Sequence, residues 1–353
     1  MERKIEEKIM SASRPEDIFS MNPDTIEQEK EEYIERFKPQ SYSTIKNFVI
    51  TQKVITLYRR ALLKFDNMDN EELSSLSLYI SEMSGCMDYH FECHYVYDIR
   101  IGKMYVAENK VIFVIDKEYK KYYENYIEKT KKFPKVNKDI WESVQYTLPK
   151  VIKNFQSTDE KWVIILKTPC TRIYPLREIL NFYDGKLEPE YVASMLTRLY
   201  NFVCYMDLNG MNHNGITIDN LFFAPGRVVE EGESYTVDDV RFVGVFGGWF
   251  YTTWTDEKIK GIQKEVYEII PQECKKTGFS SFALDSQSVK RVARELLGDS
   301  SGENLISVPM PLKSWVNDSD SEKNAYEEFC KWERVIIDSF GKKRFVEIDV
   351  SIN

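Results

Sequence analysis

Residues 90–116 constrain the fold more than any other stretch. The run HFECHYVYDIRIGKMYVAENKVIFVID alternates aromatic and β-branched residues with polar ones. A period of two belongs to half-buried strands and not to helices. The tetrapeptide AENK separates two such runs, which predicts consecutive antiparallel strands. EKWVIILKTPC, at 160–170, predicts another buried strand, and KEYKKYYENYIEKTKKF, at 117–133, predicts a charged helix with an aromatic stripe. Beyond about residue 171 helical spacing takes over. PLREILNFY is helical, and EPEYVASMLTRLYNFVCYMDLNG places Val192, Met195, Leu196, Leu199, Phe202, Val203 and Met206 on one side, with Gly210 as a natural stop. The order is therefore strands first, helices second.

Composition bounds what such a chain can do. Of 353 residues, 42% are apolar and 30% charged, enough apolar surface to bury a sizeable core. Lys and Arg total 48 against 57 Asp and Glu, a formal charge of −9. An acidic chain binds nucleic acid poorly without sequence selection, because that binding comes from releasing phosphate counterions with Lys and Arg. The longest apolar runs, VIFVI and WVIIL, are far short of the roughly 20 residues that span a bilayer. The opening MERKIEEKIM has no apolar stretch and is not a signal peptide, so a cytoplasmic protein is expected. Six cysteines stand at 86, 93, 170, 204, 274 and 330 with no CxxC. Cys86, His90, Cys93 and His94 include zinc-type ligands. On a strand they point to opposite faces and do not all converge on one ion.

Residues 1–66 read as helical. Pro15 and the acidic residues after it mark one helix start. A second helix follows Pro23 and Asp24, with Ile26, Tyr33, Ile34 and Phe37 on one face, and KPQ at 38–40 breaks it. A third runs from about Ser43 to Phe65. Residues 13–66 resemble a J domain. That family carries a His-Pro-Asp tripeptide between two long helices, which activates a heat-shock chaperone's ATPase. Here the matching positions are Lys38, Pro39 and Gln40, so the resemblance implies the fold without the co-chaperone activity. An ordinary amphipathic helical pair fits the same pattern. The acidic, polar DNMDNEELSS places a linker over 67–84.

The residues after the long apolar helix carry a second resemblance. MNHNGITIDNLFFAP is similar to a protein-kinase catalytic loop, H-R-D-x-x-x-x-N. His213 takes the His position, Asn214 the Arg, Gly215 the catalytic Asp and Asn220 the metal-binding Asn. VRFVGVFGGWF resembles the D-F-G segment, with Phe246 and Gly247 matching and Val245 where the metal-binding Asp would stand. Ile269–Glu273, IIPQE, resembles A-P-E. Asp285, in FALDSQSVKRVARELLG, falls where the family braces its catalytic loop. The likeness spans about residues 90–345. It implies an α+β protein with a small helical J-like segment, a β-rich lobe at 85–170 and a helical lobe at 171–353. A J-like segment joined to a degenerate kinase also resembles a bacterial and phage arrangement.

The departures bear directly on chemistry. Phosphoryl transfer needs positioned Mg²⁺, a lysine on the phosphates and a carboxylate at the acceptor hydroxyl. Gly215 has no side chain, which removes a term worth about 10²–10⁴-fold. Val245 cannot ligate a hard cation, which takes oxygen donors. Asn220 offers one neutral carbonyl, and Asp219 substitutes only if the loop is rotated. Where a G-x-G-x-x-G loop should cover the phosphates, only Gly102 occurs. VIFVID puts Val114 or Asp116 near the phosphate-lysine position, and Lys117 is the nearest cation. Glu124 and Glu128 are the helix carboxylates available to pair it. FGGW reads as a packed turn, and the carboxylates at 238–240 and 317–322 read as a surface loop and an exposed linker. His213 reads as a packed residue that supports its loop.

The expectation is a catalytically inactive pseudokinase, with no metal or cofactor, that serves as a protein-binding scaffold or regulator for a partner the sequence does not name. The 22 tyrosines and 20 phenylalanines exceed what a core of this size needs and suit an interface. Three rivals remain open: a divergent kinase or nucleotidyltransferase that uses Lys117, Asp219 and Asn220, co-chaperone function through the N-terminal segment, and a structural component of a phage or bacterial assembly.

Overall fold

The computed structural model describes residues 77–84, 87–135, 138–226, 234–341 and 348. Positions 1–66, including Lys38, Pro39 and Gln40, lie outside the described residues, as does Cys86. The first half is built on β1 (Ser77–Ser81), β2 (Asp88–Ile99), β3 (Gly102–Ala107) and β4 (Lys110–Ile115). Helices α1 (Lys120–Thr130) and α2 (Lys138–Val144) follow, then β5 (Lys150–Gln156) and β6 (Trp162–Lys167). All six strands pair antiparallel in the order β1-β2-β3-β4-β6-β5. The sheet thus begins at Ser77, inside the stretch at 67–84 that reads as linker.

The two ends of this sheet meet. Glu82 bridges Ser157, the Met83 amide donates to the Gln156 carbonyl at 2.8 Å, and the Thr158 amide donates to the Ser81 carbonyl at 2.9 Å. The sheet therefore curls toward a barrel. Alternation decides which residues enter it: Leu78, Ile80, Cys93, Tyr105, Ile112, Val114, Val163 and Ile165 fill the interior. The opposite face, with Met104, Val106, Val111, Phe113, Ile115, Ile164 and Leu166, joins the main core. At the seam Glu82 is buried. It accepts from Lys153 at 2.6 Å and from the Tyr89 hydroxyl at 2.6 Å, and these partners hold its carboxyl below the usual range. Cys93 is interior, whereas His90 is exposed and sits 3.0 Å from Glu92.

The second half contains β7 (Tyr174–Pro175), α3 (Leu176–Phe182), α4 (Pro189–Leu208), β8 (Met211–Asn212), β9 (Leu221–Ala224), β10 (Phe242–Val245) and β11 (Thr253–Trp254). Helices α5 (Lys264–Tyr267), α6 (Gln272–Thr277), α7 (Phe282–Leu296), α8 (Met310–Val316) and α9 (Ala325–Phe340) complete it. The seven apolar residues of α4 singled out in the sequence are all buried, and the helix packs between α2, α7 and α9. Gly210 ends it at φ 65°, in the left-handed region. Behind α7, Lys290 and Glu328 are both fully buried, 3.2 Å apart. The Asp318 and Asp320 carbonyls accept from Lys290 Nζ, and the Trp315 indole donates to Glu328. The stretch at 317–322 therefore wraps a buried ion pair and is more than an exposed linker.

Candidate functional site

Between the two halves, β8 leads into the loop at 213–220. Asp285, buried on α7, accepts from the His213 amide at 2.7 Å and from the Asn214 amide at 2.8 Å. Burial pushes its carboxyl up to about 7, against the opposing pull of those two amides. His213 lies between the rings of Phe202 and Trp249, at 5.4 and 5.0 Å. Burial holds its imidazole down at about 3, so it is neutral. Asn214 adopts φ 60°, a conformation Asn tolerates. Its amide donates to the Tyr251 carbonyl and to Thr253 Oγ1, both at 2.9 Å, and its oxygen accepts from Ser280.

Gly215 faces backbone. A Cβ on Gly215 would lie 2.7 Å from Gly248 Cα and 2.7 Å from the Gly248 carbonyl oxygen. Gly248, at φ 79°, presses back: its own Cβ would meet the Gly215 carbonyl oxygen at 2.4 Å. The two glycines thus touch main chain to main chain at the position where the kinase resemblance places a catalytic carboxylate. Gly247 abuts Asn220 in the same way and donates its amide to the Asn220 carbonyl at 3.1 Å. The Asn220 side-chain amide is taken up by the Gly215 carbonyl and by Gln263, each at 2.7 Å. FGGW is a packed turn.

The remaining positions are apolar or displaced. Val245 is fully buried in β10, its amide donating to the Thr147 carbonyl and its carbonyl accepting from the Trp249 indole. Phe246 packs on Phe222 at 5.2 Å. Asp219 is held by a bidentate contact to Arg177, at 2.8 and 3.0 Å, and Arg177 also reaches Glu295 at 2.8 Å. Asp219 is thus already engaged by a guanidinium. Lys117 pairs with exposed Glu160 at 2.9 Å and does not rescue the phosphate-lysine position. Val114 points into the barrel, so the residue that β4 turns toward α1 is Phe113. On α1, Glu124 pairs with Lys120 and Glu128 with Lys129.

In place of an ion pair between β4 and α1 stands an aromatic cluster that the sequence reading missed. Tyr126 is fully buried, 5.6 Å from Phe113 and 4.7 Å from Phe250, and donates to the Phe246 carbonyl at 2.7 Å. Asn125 donates to the Phe250 and Thr252 carbonyls at 3.1 and 2.9 Å. The aromatic stripe of α1 was the signal that could have found Tyr126. The β2–β3 turn is only Arg100 and Ile101, too short to cradle a triphosphate, and Gly102 serves the close approach of β4. At the cleft's front, Tyr97 donates to Glu178 across the two halves at 2.6 Å. Burial, and then that carboxylate, raise its hydroxyl well above the usual phenol range. Among the described residues no group of three His, Cys, Asp or Glu converges as a metal site. Chemically, the arrangement offers packing and hydrogen bonds, with no unoccupied carboxylate at the loop.

No family model matches the chain, and no curated protein matches it in sequence. The fold matches 721 solved chains. One is the structure of vaccinia related kinase 3, 14% identical, with a TM-score of 0.48 over 74% of this chain and 91% of that one.

Proposed function

We propose that residues 77–341 form a kinase-like fold that does not transfer phosphate and that serves as a protein-binding scaffold or regulator. Three features support the fold assignment. The strand order β2-β3-β4-β6-β5, with α1 inserted between β4 and β5, reproduces a kinase small lobe, to which β1 is an addition. A buried Asp on a large-lobe helix braces the 213–220 loop through two amides. The turn at 245–248 packs under that loop.

The reading without catalysis is carried by one observation: the main chains of Gly215 and Gly248 are in contact where a carboxylate must reach an acceptor hydroxyl. With Val245 buried and lacking an oxygen donor, one magnesium donor is also missing. The scaffold role is supported by Tyr79, Tyr235, Tyr267 and Tyr326, each about two-thirds or more exposed, since exposed aromatic side chains are favoured interface anchors.

The test is thermal unfolding with ATP and Mg²⁺. A ligand at 100 times its Kd adds about 2.7 kcal/mol to the folded state. No Mg²⁺-dependent rise in Tm is expected. A rise that disappears in Asn220→Ala would restore the enzyme reading.

A further inference from the structure

We propose that Lys110, Lys167 and Lys150 form a binding site for an acidic segment of a partner protein. This rests on the protein-binding reading above and deepens it by giving the partner's chemistry. The three lysines come from adjacent strands and stand directly opposite one another. Lys110 of β4 pairs with Lys167 of β6, and Lys167 pairs with Lys150 of β5. Neighbouring strands lie about 4.8 Å apart, so the row spans roughly 10 Å. Alternation puts Lys110 on the face of β4 that carries Ile112 and Val114, and Lys167 on the face of β6 that carries Val163 and Ile165. The row therefore rims one end of the barrel. It continues through Ala107 of β3 and Cys93 of β2, both buried.

Two observations point from this row to an anion. Like charges directly opposite on antiparallel strands destabilise a sheet, and the row holds two such pairs. Among the described residues, none of the three lysines forms an ion pair or a side-chain hydrogen bond. By contrast, Lys103, Lys153 and Lys161 of the same sheet and its turns reach Asp98, Glu82 and Asp159 at 3.6, 2.6 and 3.5 Å. A lysine on an edge strand guards against unwanted pairing, which accounts for Lys150 on β5. It does not account for Lys110 and Lys167, which lie on inner strands. An acidic peptide fits the row better than nucleic acid does. A chain with a formal charge of −9 repels a long polyanion, and so short a row releases few counterions. An extended peptide advances about 3.3 Å per residue, so roughly three or four acidic residues match the row. Ile152, at the bulge of β5 two residues beyond Lys150, is 46% exposed and offers an apolar anchor beside the charges.

Fluorescence anisotropy on the full chain tests this, with a short labelled peptide that carries a run of glutamates and a counterpart with glutamine at each of those positions. The glutamate peptide is expected to bind and the glutamine peptide is not. The triple variant Lys110→Ala, Lys150→Ala, Lys167→Ala is expected to bind about tenfold more weakly, as the loss of three exposed ion pairs implies. Its Tm is expected to equal or exceed that of the wild type, because two like-charge pairs are gone. Should its Tm fall instead, Lys167→Ala alone, at the centre of the row, is read by the same criterion. Equal binding by the triple variant, or no binding by the wild type, would overturn the site. Asp66, Asp69, Glu71 and Glu72 lie outside the described residues, and a variant with Asn and Gln in their places is measured alongside. Binding by that variant alone would assign the row to the chain's own acidic run and overturn the partner. Tighter binding of single-stranded DNA through the same lysines would overturn the peptide in favour of nucleic acid. Loss of the lysine site leaves the scaffold reading on its exposed tyrosines, and the ATP and Mg²⁺ test of the non-catalytic reading involves none of these lysines, so the two fail separately.

Discussion

At Gly215 the question is whether a side chain has room. An Asp would bring its Cβ to 2.7 Å from Gly248 Cα and would bury a carboxylate in a loop whose residues are buried throughout this turn. Gly215→Asp should therefore cost at least about 3 kcal/mol in urea unfolding and should restore no phosphate transfer, because a buried unpaired charge is among the costliest substitutions. The same loop makes a pH prediction with two opposing signs. His213 is held at about 3, below its ordinary 6.5, so the folded state binds fewer protons and stability rises with pH across about 3 to 6.5. Asp285 is raised from 3.8 to about 7, so the folded state binds more protons and stability falls as pH rises across that window. Each contributes a slope of about 1.4 kcal/mol per pH unit where it acts alone, and between about pH 4 and 6.5 they offset. Asp285→Asn should unmask a steep rise in stability over that range, and His213→Phe should leave a fall. Denaturant unfolding at pH 4.5 and 6.5 reads both. Parallel slopes in the wild type and both variants would contradict the assignment.

At the scale of elements, the sequence was most informative where periodicity ran long. Residues 90–116, 160–170 and the apolar stripe of α4 were legible because each buries one continuous face. β1 was missed because SLYIS is five residues long and follows a polar acidic run, and the bridge that closes the sheet beside it, from Glu82 to Ser157, is distant in sequence. Curling of the sheet is a tertiary outcome that no local pattern encodes. Leu78 and Ile80 are interior all the same, so Ile80→Ala should cost about 2–5 kcal/mol by urea unfolding, as expected of a core truncation. A cost near zero would mean that β1 is not part of the barrel. In the site, Gly215 and Val245 stand out from motif spacing, since neither side chain offers an oxygen donor. The contacts around them were not legible, because Tyr126, Gly248 and Gln263 act across 120, 33 and 43 residues of chain. Tyr126→Phe keeps the ring and leaves the Phe246 carbonyl without its donor. It should cost about 1–3 kcal/mol, checked by thermal unfolding against the wild type.

Over the whole molecule, a large shared core joins the two halves through aromatic side chains. Phe113, Tyr126 and Phe250 meet where a kinase would carry charge and metal. This packing buries apolar surface between the two halves. The most direct test is to incubate pure full-length protein with γ-labelled ATP, with Mg²⁺ or Mn²⁺, alone and with generic acceptor proteins. The account predicts no label above that of an Asn220→Ala control. Transfer by the wild type that the control lacks would contradict it.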